Sequence, residues 1–243
     1  MKIEFASNEP LALDYPPVPV KKVIPDWYKD LPMHFVEKEF IHDAKIMVEK
    51  EMRTTNTIKA CMPVLDYLTS GYVIRAHAQI LVTPSTQGTR HLDGSKFFWW
   101  KSAGTFVAQH GHGQCPIKIE GYEHTYFKFV NPWRIRVPPG YSCLFYQPYY
   151  FMENRYSLFP AIVDCDTFDD IVSFPGYIRS EESFFINPGD PVMVVFPFKR
   201  DEWEHSIVKM SDVEYKETVV NSKINHYLFE GYKKFFHKKK SYK

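Results

Sequence analysis

The residues that could do chemistry fall in three places. In "FPAIVDCDTFDDIVSFPGYI", residues 159–178, Asp164, Asp166, Asp169 and Asp170 interrupt a run that otherwise reads as buried β-structure. A carboxylate so placed can orient a water, hold a cation or cap a turn. An ionised carboxylate inside an apolar core is too costly unless it is hydrogen-bonded, paired or open to a cavity. Ala161–Val163 is expected as a buried strand, with Asp164 as its anchored end and Arg134, Arg136 and Arg155 as available basic partners. Asp166, Asp169 and Asp170 are expected in a solvated turn, where Asp bonds nearby backbone donors, and Ile171, Val172 and Phe174 as the strand that follows. The second place is "RHLDG", where His91 and Asp93 would share one face of a strand, as a two-His-one-carboxylate iron site requires. Asp-Gly is also a hairpin turn signal, which is the favoured reading. The third is "QHGHGQC", where His110, His112 and Gln114 form a polar loop able to contact a ligand. No carboxylate beside them completes a metal set, and no cofactor is implied.

Around these places the chain reads as many short strands. "YVIRAHAQILV" alternates, with Tyr72, Ile74, Ala76, Ala78, Ile80 and Val82 on one face and Arg75, His77 and Gln79 on the other. "KFFWWK", "TYFKFV", "WRIRV", "YSCLFY", "AIVD", "DIVSF", "SFFI" and "VMVVFPF" repeat the signal. Between them "VPPGY" and "NPGD" mark turns, and Pro188-Gly189 supplies the central pair of a type II turn. Aromatic residues make up 17% of the chain, which favours pleated, half-buried surfaces. The fold class expected is mainly β, with a β-clip or jelly-roll-like core, a Pro-rich N-terminal arm and a C-terminal α-helix.

Three segments follow from this. Residues 1–56 read as an extended arm, with "YPPVPV" and "VIPDWYKDLP" fixing φ and allowing one short turn at Asp26–Lys29. Its apolar content places it across the body or a neighbouring subunit. Residues 57–205 form the β-rich core, entered through Thr57–Gly71, a short helix interrupted or begun near Pro63 and ending at Gly71. Residues 206–243 form a helix from about Asp212 with a basic tail. Ser211 and Glu214 make a capping box, and Val220, Ile224, Tyr227, Leu228 and Phe235 recur at helical spacing.

With 243 residues the chain can bury a sizeable core. Its formal net charge of +1 excludes a global attraction to polyanions, so any contact with nucleic acid or an anionic surface rests on the tail "YKKFFHKKKSYK". Cys61, Cys115, Cys143 and Cys165 match no zinc or disulfide spacing and are expected as separate buried thiols. No signal-peptide pattern and no membrane-spanning apolar run are present. P-loop, dinucleotide-binding and nucleophile-elbow motifs are absent, which argues against those enzyme classes.

Two resemblances, and one metal motif, add expectations. His91-x-Asp93 in a β-rich chain resembles the non-haem iron, 2-oxoglutarate-dependent oxygenases. From Pro138 to Arg200, the order "PPGYSCLF", "AIVDCDTFDDIVSF", "FFINPGDPVMVVFPFKR" is similar to the β-clip core of dUTPases and dCTP deaminases. That resemblance implies a water-binding role for Asp164 and a deoxyribose-stacking role for Phe168, hence nucleotide binding or hydrolysis. The Arg-Ser-Gly phosphate motif of those enzymes is missing. Over nearly the whole chain, "VIPDWYKDLP", "LTSGY", "FVNPWRIRVPPGYSCLF", "VDCDT" and "FPFKRDEWE" resemble an uncharacterised family of tailed phages and some bacteria. This implies a phage-encoded accessory protein, a binding or assembly module that forms a homo-oligomer (a trimer is one form) or meets a virion or host protein, in the host cytoplasm or on the virion.

Overall fold

The protein is described from a computed structural model, which covers residues 1–37, 53–84, 98–102, 106–109, 126–180, 182–221 and 232–243. His91, Asp93, His110, His112, Gln114 and Cys115 lie outside these residues, as do Ile224, Tyr227 and Leu228.

In chain order the elements begin with β1 (Glu4–Ala6), α1 (Pro10–Asp14), β2 (Val18–Pro19), α2 (Asp26–Asp30), β3 (His34–Glu37), β4 (Arg53–Asn56) and α3 (Met62–Thr69). There follow β5 (Tyr72–Arg75), β6 (Ile80–Pro84), β7 (Phe98–Ser102), β8 (Val107–Gln109), β9 (Tyr126–Phe129), β10 (Arg134–Arg136) and β11 (Tyr141–Tyr146). The last are β12 (Tyr156–Leu158), β13 (Ala161–Val163), β14 (Phe174–Ile178), β15 (Phe184–Ile186), β16 (Pro191–Lys199) and α4 (Asp212–Tyr215). The fold is mainly β, and every strand pairing described is antiparallel.

The chain divides into two units, one of residues 1–23 and 71–201, the other of 24–70 and 202–243. These units do not follow the divisions at 56 and 205 drawn from the sequence. The first 23 residues belong to the β-rich unit, where β1 pairs with β10 and β2 with β5. Proline hides the pairing of β2 from the sequence, because it breaks the alternation that betrays a strand.

The first unit holds a five-stranded sheet ordered β13-β11-β16-β5-β2 and a four-stranded sheet ordered β12-β14-β9-β8. A three-stranded sheet is ordered β15-β6-β7. One apolar cluster joins them: Phe145 of β11 meets Phe174 of β14 at 5.7 Å between ring centres, and Tyr156 of β12 stacks on Phe184 of β15 at 6.3 Å. β16 is covered on both faces, which is why its sequence does not alternate. Val192, Met193 and Val195 enter the main core, while Val194 packs with Val73 and Val20 on the far side. Pro197 is tolerated in this strand because the ladder to β5 ends at Val195, so there the strand has a neighbour on one side only. The Asn187–Asp190 turn that launches β16 is the type II turn expected: Asp190 N–H donates to Asn187 C=O at 3.0 Å and Gly189 has φ of 92°.

Two expectations fail here. "YVIRAHAQILV" is not one strand but β5 and β6, separated at Ala76–Gln79, and His77 is buried rather than on an open face. The break arises because Ala76 pairs its backbone with the Asn187–Asp190 turn, bonding to Asp190 C=O and Gly189 N–H at 2.8 Å each. β13 is a strand, but Ile162 is exposed, because β13 lies at the sheet's edge. Ile171 and Val172 precede the next strand, which starts at Phe174.

In the second unit β3 and β4 form a hairpin pair, and α3 carries Pro63 in its first turn, where the missing N–H costs nothing. Ser211 caps α4 by accepting from Glu214 N–H at 3.2 Å. Beyond α4 the helix widens to i→i+5 turns over Lys216–Asn221 and again over Tyr232–Phe236, where His237 N–H reaches Tyr232 C=O.

Candidate functional site

The Pro138-Pro139-Gly140-Tyr141 turn opens β11, and the Asp164–Phe168 turn closes β13 beside it. Gly140 has φ of 82°, a conformation that glycine adopts without strain, and Tyr141 N–H closes the turn on Pro138 C=O at 3.2 Å. The β11–β16 register sets Tyr141 against Lys199, so Gly140 and Arg200 face each other one step beyond the ladder. Arg200 N–H donates to Gly140 C=O at 2.9 Å, and Gly140 N–H donates to Asp166 Oδ2 at 2.9 Å.

The Arg200 guanidinium completes a clasp. It engages both carboxylate oxygens of Asp166, with Nη1 to Oδ1 at 2.8 Å. The same Nη1 reaches Tyr141 C=O at 3.0 Å, Ser142 Oγ at 3.1 Å and Asp164 Oδ1 at 3.2 Å. Ser142 Oγ donates to Asp164 Oδ1 at 2.6 Å. Arg200 thus ties the start of β11, the end of β13 and the turn after it, in the bidentate manner that makes arginine suit carboxylates.

This arrangement reverses the expected roles. Asp166, not Asp164, is the anchored residue: its side chain is 4% exposed, against 60% for Asp164. The Arg200 hydrogen bond, then that of Gly140 N–H, hold the Asp166 carboxyl down at about 2 against the cost of desolvation. None of the arginines named from the sequence takes Asp164. Arg136 and Arg134 pair with Asp169 at 2.6 and 3.7 Å, and Arg155 grips Glu153. Asp170 caps its own turn, accepting from Ile171 N–H at 2.6 Å. Arg200 was readable only by aligning "PPGYS" with "FPFKR" as antiparallel neighbours, a tertiary register that composition does not carry.

Beside the clasp lies a cleft of about 300 Å³, lined by Arg136, Val137, Cys165, Asp166, Thr167, Phe168 and Asp169. It brings Phe168 and Asp166 to one surface with Arg136. Asp164 does not line it.

Two buried groups escaped sequence reasoning. His77 lies against Phe106, their ring centres 3.6 Å apart, with no partner for Nε2 among the described residues, and it borders a cavity of about 20 Å³, enough for one water. Burial pushes its imidazole down to about 4. Cys143 and Cys165 are free thiols and buried, at 0% and 1% exposed, and each acts on the other, pushing the Cys143 thiol up and the Cys165 thiol down. Cys61, by contrast, is exposed.

In the second unit the basic tail turns onto α3. Asp66 binds His237 Nε2 at 2.9 Å and Lys240 Nζ. Burial acts to raise its carboxyl, but the hydrogen bonds to Lys240 and then His237 outweigh it and hold it below the usual range. No described helix is long and apolar enough to cross a membrane. Comparison with family models, with curated proteins and with solved structures finds no match.

Proposed function

We propose that this protein is a phage-encoded accessory protein that works as a binding or assembly module, in the host cytoplasm or on the virion. The observation that carries the reading is the segment from Glu202 to Met210. Every residue in it is exposed, with Trp203 at 88%, Ile207 at 95% and Val208 at 82%. No backbone group in it bonds to a described backbone group. An exposed Trp and Ile on an extended segment is the composition of an interface, not of a solvated loop. The partner is a second copy of the chain. Nine residues span roughly 30 Å when extended. Two such arms exchanged about a two-fold, each with its receiving surface, contribute the 20–30 or so residues a side of a standard interface. The clasp supports the same reading, because its carboxylates are engaged in holding strand ends. The Lys-rich tail would add contacts to nucleic acid or another anionic surface.

Sedimentation of wild type against Trp203→Ala/Ile207→Ser tests this. Wild type is expected to associate with rising concentration and the double variant to stay monomeric. A wild type that is monomeric throughout overturns it.

A second reading rests on the cleft, where Phe168 and Arg136 offer a stacking surface and a cation to a nucleotide. Thermal-shift screening with deoxynucleotides should then raise Tm in wild type and not in Phe168→Ala. An equal response in both proteins rejects it.

A further inference from the structure

We infer that the small cavity beside His77 is a binding site for one structural water, held between Arg75 Nε and His77 Nε2. The site is independent of the exposed segment and of the cleft at Phe168, so it stands whether or not either reading above does.

The break between β5 and β6 builds it. Arg75 ends β5, and the chain leaves the ladder at Ala76, whose backbone is taken up by the Asn187–Asp190 turn. His77 follows, 6% exposed, with its ring edge-on to Phe106. Arg75 and His77 both line the cavity of about 20 Å³, whose walls are otherwise largely apolar, with Ile74, Ile80, Phe129 and Phe174 among them. That volume admits one water and nothing larger.

Three buried side-chain polar atoms lack a hydrogen-bond partner among the described residues: Arg75 Nε, His77 Nε2 and Trp133 Nε1. Two of the three belong to residues of this one cavity, and Trp133 does not line it. A polar atom taken out of water and left unpaired loses a bond without replacement. Native proteins meet that cost with an internal water where the space is polar and large enough.

No direct bond joins the two atoms, but through a water they are complementary. A guanidinium has no acceptor, so Arg75 Nε–H can only donate. Arg75 is held in place by its Nη2, which donates to Pro16 C=O at 2.8 Å, and by the Tyr15 ring 5.8 Å beneath it. A neutral imidazole accepts at Nε2 when its proton sits on Nδ1. Burial keeps the His77 ring neutral, pushing it down to about 4. The water therefore accepts from Arg75 and donates to His77. Asn131 also lines the cavity, but its Oδ1 accepts from Trp133 N–H at 3.1 Å and its Nδ2 donates to Trp133 C=O at 2.8 Å. The bridge links the break after β5 to the Tyr15–Pro16 segment, and it fixes the His77 tautomer.

A high-resolution crystal structure of the full chain reads the site directly. One ordered water within hydrogen-bond distance of both Arg75 Nε and His77 Nε2 is expected. A cavity without density, or either atom bonded directly to a protein group, overturns the proposal. Solution NMR tests it without a lattice. At neutral pH the ring nitrogen shifts of His77 should show Nε2 unprotonated, and its ring protons should cross-relax with a bound water. A proton on Nε2 at neutral pH overturns the arrangement. His77→Phe keeps a ring, removes the acceptor and should lose the water. A water retained in His77→Phe as in wild type overturns the role of His77. The wild-type measurements decide the proposal even where that variant fails to fold.

Discussion

Arg200 and Trp203 are three residues apart and live in opposite circumstances. Arg200 bonds through its backbone to Gly140 and through its side chain to Tyr141, Ser142, Asp164 and Asp166. Trp203 is 88% exposed, in a segment with no described backbone partner. The same chain passes within a few steps from a densely bonded residue of the β-rich unit to a segment with no described backbone bond. Order here is therefore not graded along the chain but set by where the β11 and β16 ladder ends.

The contrast can be broken most sharply at Asp166. Asp166→Ala removes the acceptor for both Gly140 N–H and Arg200, and should lower Tm by more than any substitution from Glu202 to Met210. Thermal unfolding monitored by circular dichroism reads this, and an Asp166→Ala protein that melts with wild type would show the clasp to be ornamental. Its acid dependence has a defined sign. With the folded carboxyl at about 2 and the unfolded one near 3.9, the clasp's contribution is present above about pH 4 and lost as pH falls towards 2.

A second acid transition should precede it. His77 is held at about 4 in the fold and titrates near 6.5 when unfolded, so the unfolded chain binds a proton first. Stability should fall between about pH 6.5 and 4, by something on the order of 3 kcal/mol, and the loss of the clasp should take over below about pH 4. Urea unfolding across pH 7 to 2 follows both steps. His77→Gln should remove the upper one and leave the lower, and an upper step that survives His77→Gln would assign it elsewhere.

A smaller effect is expected at Gly140. A Cβ there meets nothing within 4 Å, so Gly140→Ala tests backbone strain alone. At φ of 82° it should cost about 1–2 kcal/mol. A neutral Gly140→Ala would mean that the turn relaxes and the clasp does not fix it.

The smallest expected change is in the arm. Trp203→Ala should alter monomer stability by less than about 0.5 kcal/mol, because its ring touches little in its own chain. A large loss in urea unfolding at low concentration would show that the arm packs within the monomer, and would erase the contrast.

How far the sequence discloses these two regions depends on whether the information is local. Pro188-Gly189 and Pro138-Pro139-Gly140 specify their turns by backbone chemistry alone, and both form as the residues dictate. "YSCLFY" coincides with β11, whose Cys143 and Phe145 share one buried face. The Ser211 cap is equally local. Asp164 and Asp166, however, are chemically identical and two apart, so both point to one side in an extended chain. Only the turn at Cys165 and the distant Arg200 decide which is anchored. The break at Ala76 is likewise imposed by a turn more than a hundred residues away. Trp203 and Ile207 carry no local signal of exposure; it follows from their place beyond the end of the β11–β16 ladder.

The contact between Asp66 and the tail has a consequence in time. Asp66 and His237 are 171 positions apart. At about 5–20 residues per second, translation separates their appearance by roughly 10–35 s. For that interval α3 leaves the ribosome with its acidic acceptor waiting, while residues 71–201 emerge in one continuous stretch. The β-rich unit can therefore assemble during synthesis, before His237 and Lys240 are made and close on Asp66.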